Sequence, residues 1–195
     1  VRSFRPVFSF TVTYPFRSGD SLRVSAPAAT NLSQGARACP RPVKRSIAVD
    51  APRSRFGSML SLAQLQARAE TCLPAHLGIR ITYAAAGELH AEFEVRPEIM
   101  AVNGFLHAGS VVSLADTAAG FGCINNLPDG ATNFTAIELK SNHVGTARDG
   151  LVTCTARLVH GGRTTQVWDA TVTHADTGRV IAHYRCTQLI IYPSS

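Results

Sequence analysis

The stretch from Ser110 to Ile124 constrains the fold of this chain more than any other. It is apolar on nearly every side of a helix and rich in small residues, with Asp116 as its only charged side chain. A helix that is hydrophobic all round is buried all round, so we expect it inside the fold. The 14 mostly apolar residues that start at Val111 fall short of the about 20 that cross a bilayer, so no membrane is expected as a partner.

Strand-like runs surround this helix. A short amphipathic helix over residues 61–69 and two runs at 79–85 and 89–95 precede it, and four runs at 133–142, 151–160, 164–173 and 180–191 follow it. Turn signals such as Asp149-Gly150 and Gly161-Gly162 separate the later runs and predict antiparallel hairpins. The simplest packing is an α+β fold in which one curved antiparallel sheet wraps around one central helix.

The charge of the chain divides at about residue 58. Residues 1–58 carry ten Lys and Arg against two Asp, whereas residues 59–195 carry nine basic against eleven acidic residues. The net charge of +6 therefore belongs to the first segment, and the part expected to fold has no basic surface for nucleic acid. We divide the chain into a basic segment, 1–58, and a domain, 59–195.

The segment 1–58 is rich in Arg, Ser, Pro and Ala and shows no sustained helical or strand period. Three interpretations stay open: an organelle transit sequence, a disordered basic arm, or upstream sequence that is not part of the natural product. We expect a cytoplasmic protein, or one of an organelle matrix if the segment is a transit sequence.

The five cysteines stand at positions 39, 72, 123, 154 and 186, and none forms a C-x-x-C pair. This spacing suggests neither a disulfide framework nor a cysteine-based zinc site, and it favours reduced thiols. P-loop, G-x-G-x-x-G and H-E-x-x-H motifs are absent from the sequence. Nucleotide hydrolysis, dinucleotide binding and zinc proteolysis are therefore not expected, and we predict no metal and no cofactor.

Asp116 is the first candidate for chemistry. An isolated buried carboxylate is costly, so Asp116 must be paired, hydrogen-bonded or open to a cleft. The small side chains of Ala115, Thr117, Ala118 and Ala119 leave space beside it. The second candidate is the approach to the helix, where His107, Ala108 and Gly109 precede Ser110. The first amides of a helix lack internal partners, so those of Ala108 and Gly109 can point at a developing oxyanion.

The two candidates lie too far apart to share a site within one chain. His107 and Asp116 are nine positions apart, which places them about 13 Å apart along a helix and on opposite faces. Two antiparallel helices in a twofold dimer can bring the start of one beside the middle of the other. If both groups act together, we predict a dimer with its sites across the interface.

Four motifs in this order resemble those of hotdog-fold acyl-CoA thioesterases of the phenylacetate-degradation (PaaI-like) type. They are GFLHAG at residues 104–109, LAD at 114–116, ELKSNH at 138–143 and HGGRTTQVW at 160–168. The resemblance covers roughly residues 60–193. It implies a hotdog fold, hydrolysis of aromatic or medium-chain acyl-CoA thioesters, and self-association as a dimer or as a tetramer made of two dimers. Coenzyme A is then part of the substrate and not a cofactor.

The resemblance also implies roles for single residues. Asp116 matches the acidic residue of the hotdog helix, which is a general base or nucleophile, and His107 matches a His that orients the thioester. Ala108 and Gly109 match the two glycines that follow this His in the family, and the first of their amides forms the oxyanion hole. Many members carry Asn or Gln six residues before the His, where this sequence has Ala101. The nearest amide is that of Asn103, which we therefore include among the candidate substrate-binding residues.

The same resemblance implies which residues bind the coenzyme A moiety. The β-turn region that holds the nucleotide end in related enzymes matches His160, Gly162, Arg163 and Thr164, with Arg163 suited to a phosphate. Asn142 and His143 match a sequence near the pantetheine tunnel. The alternative function is a non-catalytic acyl-CoA-binding hotdog module that acts as a sensor or regulator. A hotdog hydratase is disfavoured because no His follows Asp116 within a few residues.

Overall fold

The computed structural model describes residues 59–193. The predicted boundary at residue 58 and the three interpretations of residues 1–58 lie outside the described residues and stay predictions. The described elements begin with α1 (Leu62–Ala69), α2 (Leu73–His76), β1 (Arg80–Ala85) and β2 (Glu88–Glu94). A 3-10 turn (Pro97–Ile99), α3 (Ala108–Asn125), β3 (Asn133–His143), β4 (Leu151–Gly161), β5 (Thr165–His174) and β6 (Val180–Ile191) follow.

The six strands form one antiparallel sheet in the order β1-β2-β4-β5-β6-β3. Along β5, buried and half-buried residues alternate without a break, so one face of the sheet is inward. Helix α3 packs against this inward face, mainly on β2, β4, β5 and β6. The predicted α+β architecture, an antiparallel sheet around one central helix, is confirmed.

Small residues let α3 approach the sheet closely. A Cβ added to Gly122 would lie 2.7 Å from Cζ3 of Trp168, and one added to Gly120 would lie 3.1 Å from Cζ of Phe134. These two glycines are therefore the positions where an aromatic ring of the sheet fills the space that a side chain would need. The helix begins where the His107 side chain accepts a hydrogen bond from the Gly109 amide.

The central helix is not fully covered by residues 59–193, which corrects the expectation of complete burial. A stripe of α3 at helical spacing stays half-buried, because the described residues cover it only in part. This uncovered stripe consists of Val112, Ser113, Asp116, Thr117, Phe121 and Ile124. Its apolar members Val112, Phe121 and Ile124 pack partly against the core and leave the rest of their surface open to a further partner.

Strand β3 lies at the edge of the sheet and pairs only with β6. Its 11 residues expose large apolar side chains, with Ile137 at 55% and Leu139 at 48% of full exposure. A long edge strand with apolar side chains is a template for pairing with another chain. The edge of β3 and the uncovered stripe of α3 are thus two surfaces that a second copy could cover.

The N-terminal elements differ from the prediction in one respect. The sequence predicted one helix over residues 61–69, and the structure adds the short α2, in whose first turn Pro74 lies, where its missing N–H costs no hydrogen bond. Helix α1 begins at a capping box between Ser61 and Gln64. Leu65 and Ala69 of α1 are buried, whereas Leu62 is 41% exposed.

Three of the cysteines are buried and carry no disulfide, as the spacing predicted. Burial raises the pKa of the Cys123 and Cys154 thiols to about 12 and that of Cys186 to about 11. Because the thiolate is the reactive form and these thiols ionise only above pH 10, they stay protonated and unreactive at pH 8. Cys72 is exposed.

We therefore expect a Cys39→Ser variant to release one equivalent of nitrothiobenzoate quickly from Ellman's reagent at pH 8, through Cys72. The remaining three equivalents should appear only after unfolding in guanidinium chloride. A Cys39→Ser, Cys72→Ser double variant is the matched control and should show no fast phase. Fast reaction of more than one thiol in the folded Cys39→Ser variant would contradict this assignment of burial.

Candidate active site

Asp116 lies in the middle of α3 on its uncovered stripe. The hydroxyl of Tyr184 donates a hydrogen bond of 2.7 Å to its Oδ1. No residue in the described part of the chain donates a hydrogen bond to Oδ2. The carboxylate is therefore anchored at one oxygen and open at the other, which satisfies the expectation of a hydrogen bond together with a cleft.

Tyr184 was not predicted from the sequence. It is inward on β6, opposite Ser141 of β3, and only 3% exposed. Burial, followed by the hydrogen bond to Asp116, raises the pKa of Tyr184 well above its usual value. The phenol therefore stays protonated and remains a donor to the carboxylate at any working pH.

A cavity of about 180 Å³ opens beside Asp116. The aromatic rings of Phe121 and Phe134 form walls of this cavity, and Gly120 contributes no side chain to it. Pro74 and Thr117 complete the lining. An acidic residue thus borders a mostly apolar space, an arrangement typical of ligand sites in which a few polar groups orient an apolar ligand.

The start of α3 presents one free amide. The Gly109 N–H donates to Nδ1 of His107 at 2.8 Å, so it is occupied, whereas the Ala108 N–H has no acceptor in residues 59–193. Because Nδ1 accepts, a neutral His107 carries its proton on Nε2, which is a second donor at the same helix end. Of the two predicted amides, that of Ala108 is available to an oxyanion.

Asp116 and this helix start are not brought together within one chain. Both belong to the single helix α3, so they remain about 13 Å apart along its axis. Gly109 lies seven positions before Asp116 and so returns to nearly the same side of the helix, about 10 Å away. A substrate carbonyl at Asp116 can meet a helix start only if a second copy supplies it.

Comparison with known proteins agrees with the fold. The family model described as the thioesterase superfamily matches residues 103–181. A 1,4-dihydroxy-2-naphthoyl-CoA hydrolase from Listeria monocytogenes is 33% identical over 111 residues, which are 57% of this chain and 89% of the relative. The chain belongs to the thioesterase superfamily.

Two further comparisons support this membership. The proofreading thioesterase EntH of Klebsiella pneumoniae is 34% identical over 113 residues, 58% of this chain and 82% of that protein. The crystal structure of a mutant thioesterase from Pseudomonas aeruginosa matches with a TM-score of 0.66 and 30% identity, over 71% of this chain and 99% of that chain. The expected hotdog fold is confirmed, and so is the expected class of enzyme, a thioester hydrolase.

The turn between β4 and β5 brings four predicted residues of this thioesterase together, His160, Gly162, Arg163 and Thr164. Gly162 is favoured there, because an added Cβ would lie 3.0 Å from the backbone carbonyl oxygen of Thr165 and 2.8 Å from Nε2 of His160. The guanidinium of Arg163 lies 5.2 Å from the ring centroid of Tyr192. No carboxylate within residues 59–193 pairs with Arg163, so its charge is available to a ligand.

The structure separates the other predicted residues of the thioesterase. Because side chains alternate along β3, Asn142 and His143 lie on opposite faces of the sheet. Asn142 borders an outer depression of about 330 Å³ with Lys140, Asp169, Thr171, His183 and Arg185. His143 is on the inward side, where its Nε2 is 3.2 Å from Oγ of Ser141. Asn103 accepts a hydrogen bond from the Phe105 amide and so shapes the loop before α3.

Between residues 59 and 193, no three His, Cys, Asp or Glu side chains converge on a point where they could hold a metal ion. Among the helices of the same range, none has the length and apolar character needed to span a bilayer.

Proposed function

We propose that this thioesterase hydrolyses acyl-CoA thioesters of aromatic or medium-chain acids, giving the free acid and coenzyme A. The observation that carries the proposal is Asp116, which borders an apolar cavity and is held by Tyr184 at one of its two oxygens. A binding module without catalysis needs no carboxylate at the mouth of an apolar chamber. The reaction requires water and no cofactor.

The proposed hydrolysis takes place at the thioester carbonyl and can follow one of two routes. With Asp116 as general base, a water oxygen attacks the carbonyl carbon while its proton passes to the carboxylate. The carbon–sulfur bond then breaks, and the coenzyme A sulfur takes up the proton. With Asp116 as nucleophile, a carboxylate oxygen bonds to the carbonyl carbon while the carbon–sulfur bond breaks, so that coenzyme A leaves as a thiolate and a mixed anhydride forms. Water then cleaves the anhydride to the free acid and the Asp116 carboxylate, and the proton released from water goes to the thiolate. In both routes negative charge builds up on the carbonyl oxygen, and an amide held in place stabilises that charge.

A second copy is proposed to supply that amide. The uncovered stripe of α3 and the free edge of β3 both expose apolar side chains that a second copy would bury. Two copies related by a twofold axis cover the same surfaces reciprocally, and their α3 helices then run antiparallel. The Ala108 amide and His107 of one copy would lie beside Asp116 of the other, as the spacing predicted. Such dimers could pair further into a tetramer.

The cavity supports an aromatic acyl group. Phe121 and Phe134 offer ring faces and edges to a flat substrate, and aromatic pairs gain stability beyond the area they bury. Two relatives at 33% and 34% identity are named for 1,4-dihydroxy-2-naphthoyl-CoA hydrolysis and for proofreading thioesterase activity. We carry over from the first name only its general class, an aromatic acyl-CoA.

Coenzyme A is proposed to lie along the turn between β4 and β5. Arg163 would contact a phosphate, with His160, Gly162 and Thr164 shaping the turn around the nucleotide. His143 stays a candidate for the pantetheine arm because it is inward on β3. The outward position of Asn142 and the loop-shaping role of Asn103 give their predicted substrate contacts no support. The free buried cysteines support a reducing compartment such as the cytoplasm.

A panel of acyl-CoA esters tests the function. Benzoyl-, phenylacetyl-, hexanoyl- and acetyl-CoA are compared by the loss of thioester absorbance, which avoids the reaction of Ellman's reagent with Cys72. We expect turnover with the aromatic and six-carbon esters and less with acetyl-CoA. Saturable binding of these esters, measured by calorimetry, without any turnover would favour the binding module instead.

Replacement of Gly120 by Ala tests the cavity. The new Cβ would lie 3.1 Å from Cζ of Phe134 and narrow the space between the rings. We expect kcat/KM for benzoyl-CoA to fall about tenfold, the effect of one misfitted carbon in an apolar pocket. Acetyl-CoA is the internal control, because it does not reach the rings and should keep its value. An equal loss for both esters would show a general defect and contradict the assignment of the acyl chamber.

A further inference from the structure

A hydrogen bond joins Tyr184 of the sheet to Asp116 of the central helix. Tyr184 lies on β6, inward and 3% exposed, and its hydroxyl reaches across to α3 at 2.7 Å. Within the described residues, this is the only hydrogen bond that the carboxylate receives. The hydroxyl is 68 positions away from Asp116 in the sequence, so the contact joins the sheet to the helix at the site itself.

Packing alone does not account for a hydroxyl at this position. The neighbouring inward residues of β6 are Ala182 and Cys186, and both are buried without an ionised group. A phenylalanine would fill the same volume without bringing a polar atom into the interior. The hydroxyl instead has a charged acceptor, and hydrogen bonds to charged groups are the stronger ones.

The geometry assigns one oxygen of Asp116 to Tyr184 and the other to the substrate. A carboxylate that is free to rotate about its χ2 angle exchanges its two oxygens, whereas one anchored at Oδ1 presents Oδ2 in one direction. A fixed attacking or basic oxygen keeps the reacting atoms close to the geometry that reaction requires. The lack of a second donor within residues 59–193 leaves Oδ2 available.

We propose that Tyr184 is a positioning residue for thioester hydrolysis, which holds the Asp116 carboxylate so that its second oxygen faces the acyl chamber. This inference rests on the proposed function, in which Asp116 acts on the thioester. Tyr184 itself does not contact the reacting atoms in this scheme. Its effect should therefore appear in kcat and not in the binding of substrate.

The test is a Tyr184→Phe variant, assayed with the acyl-CoA ester that the wild-type protein turns over fastest. Loss of a hydrogen bond to a charged group corresponds to a fall in kcat of about 10-fold to 100-fold. KM should stay within about twofold, because the ring that borders the interior is retained. Tyr83→Phe is the matched control: Tyr83 lies on β1, 45% exposed, and should keep wild-type kcat.

A second variant guards against a folding defect. Tyr184→Met also lacks the hydroxyl and fills the space with a flexible side chain, and thermal melting by circular dichroism identifies whichever variant is folded. Wild-type kcat in either folded variant, or a raised KM with unchanged kcat, would overturn the positioning role.

The same experiment separates this inference from the function on which it rests. An Asp116→Asn variant is measured in parallel. If it retains wild-type kcat, the proposed catalyst is wrong. If it is inactive while the folded Tyr184 variants keep wild-type kcat, only the positioning role of Tyr184 is wrong.

Discussion

Replacing Asp116 by Asn should lower kcat for the preferred acyl-CoA ester at least about 100-fold, the lower end of what an acid–base group contributes. Asn has the same shape, and its carbonyl oxygen can still accept the hydrogen bond that Tyr184 donates to Oδ1. What the variant loses is the open carboxylate oxygen, which either takes a proton from water or attacks the carbonyl. The assay follows thioester absorbance under saturating substrate.

The control for this variant is Asp129→Asn, in the exposed turn after α3. It makes the same chemical change far from the cavity and should leave kcat at the wild-type value. Equal melting temperatures of wild type and both variants establish that folding is unaffected. If Asp116→Asn keeps kcat within about twofold, a difference too small for a lost base or nucleophile, the catalytic assignment of Asp116 is wrong.

Asp116 could be chosen as a candidate from the sequence because its signal is local. A single carboxylate within an apolar helix needs an explanation whatever the surrounding fold. The strands were also predictable to within a few residues, since period-two alternation and turn pairs such as Asp149-Gly150 lie in continuous sequence. The six observed strands and α3 agree with those expectations.

Tyr184 could not be predicted in the same way. Alternation along β6 places Tyr184 on the inward face of the sheet, as it does several other residues. Which of these inward residues contacts Asp116 depends on the position of α3 on the sheet. The edge position of β3 is equally non-local: it follows α3 in sequence but pairs with β6, the last strand. Pairing between distant segments is decided by packing, and periodicity carries no information about it.

The exposure of the uncovered stripe of α3 could not be predicted from the sequence either. The sequence predicted a helix buried all round, whereas residues 59–193 leave one face of α3 half-buried. An apolar sequence predicts that a surface will be buried, but it does not say whether the same chain or a second copy buries it. The correction therefore favours the dimer that the spacing of His107 and Asp116 had suggested.

Replacing Ala108 by Pro should also abolish most activity, by removing the one free amide at the start of α3. Loss of one oxyanion donor lowers kcat by about 100-fold to 1000-fold. Proline is tolerated at the first position of a helix. His107 already has φ −66° and ψ 133°, a conformation that a residue before proline favours. Ala108→Gly keeps the amide and is the matched control, with kcat near wild type.

Mixing the two inactive proteins tests whether the site crosses an interface. When Asp116→Asn and Ala108→Pro chains are co-expressed with different tags, half of the dimers contain one of each. In such a dimer one site carries both substitutions and the other carries neither. Purified mixed dimers should therefore regain about half of the wild-type activity per dimer, and a random mixture about a quarter, as twofold symmetry requires.

The result of this mixing depends on where the two groups meet. If Asp116 worked with the helix start of its own chain, every site in a mixed dimer would carry one substitution and no activity would return. Mixing Asp116→Asn with Asp116→Ala is the control, since no arrangement of these chains restores an intact site. Each single variant could be inactive for several reasons. Recovery of activity in the mixed dimer, by contrast, requires a site that combines a carboxylate from one copy with an amide from the other. Inactive mixed dimers would contradict the shared site even if each variant were as inactive as expected.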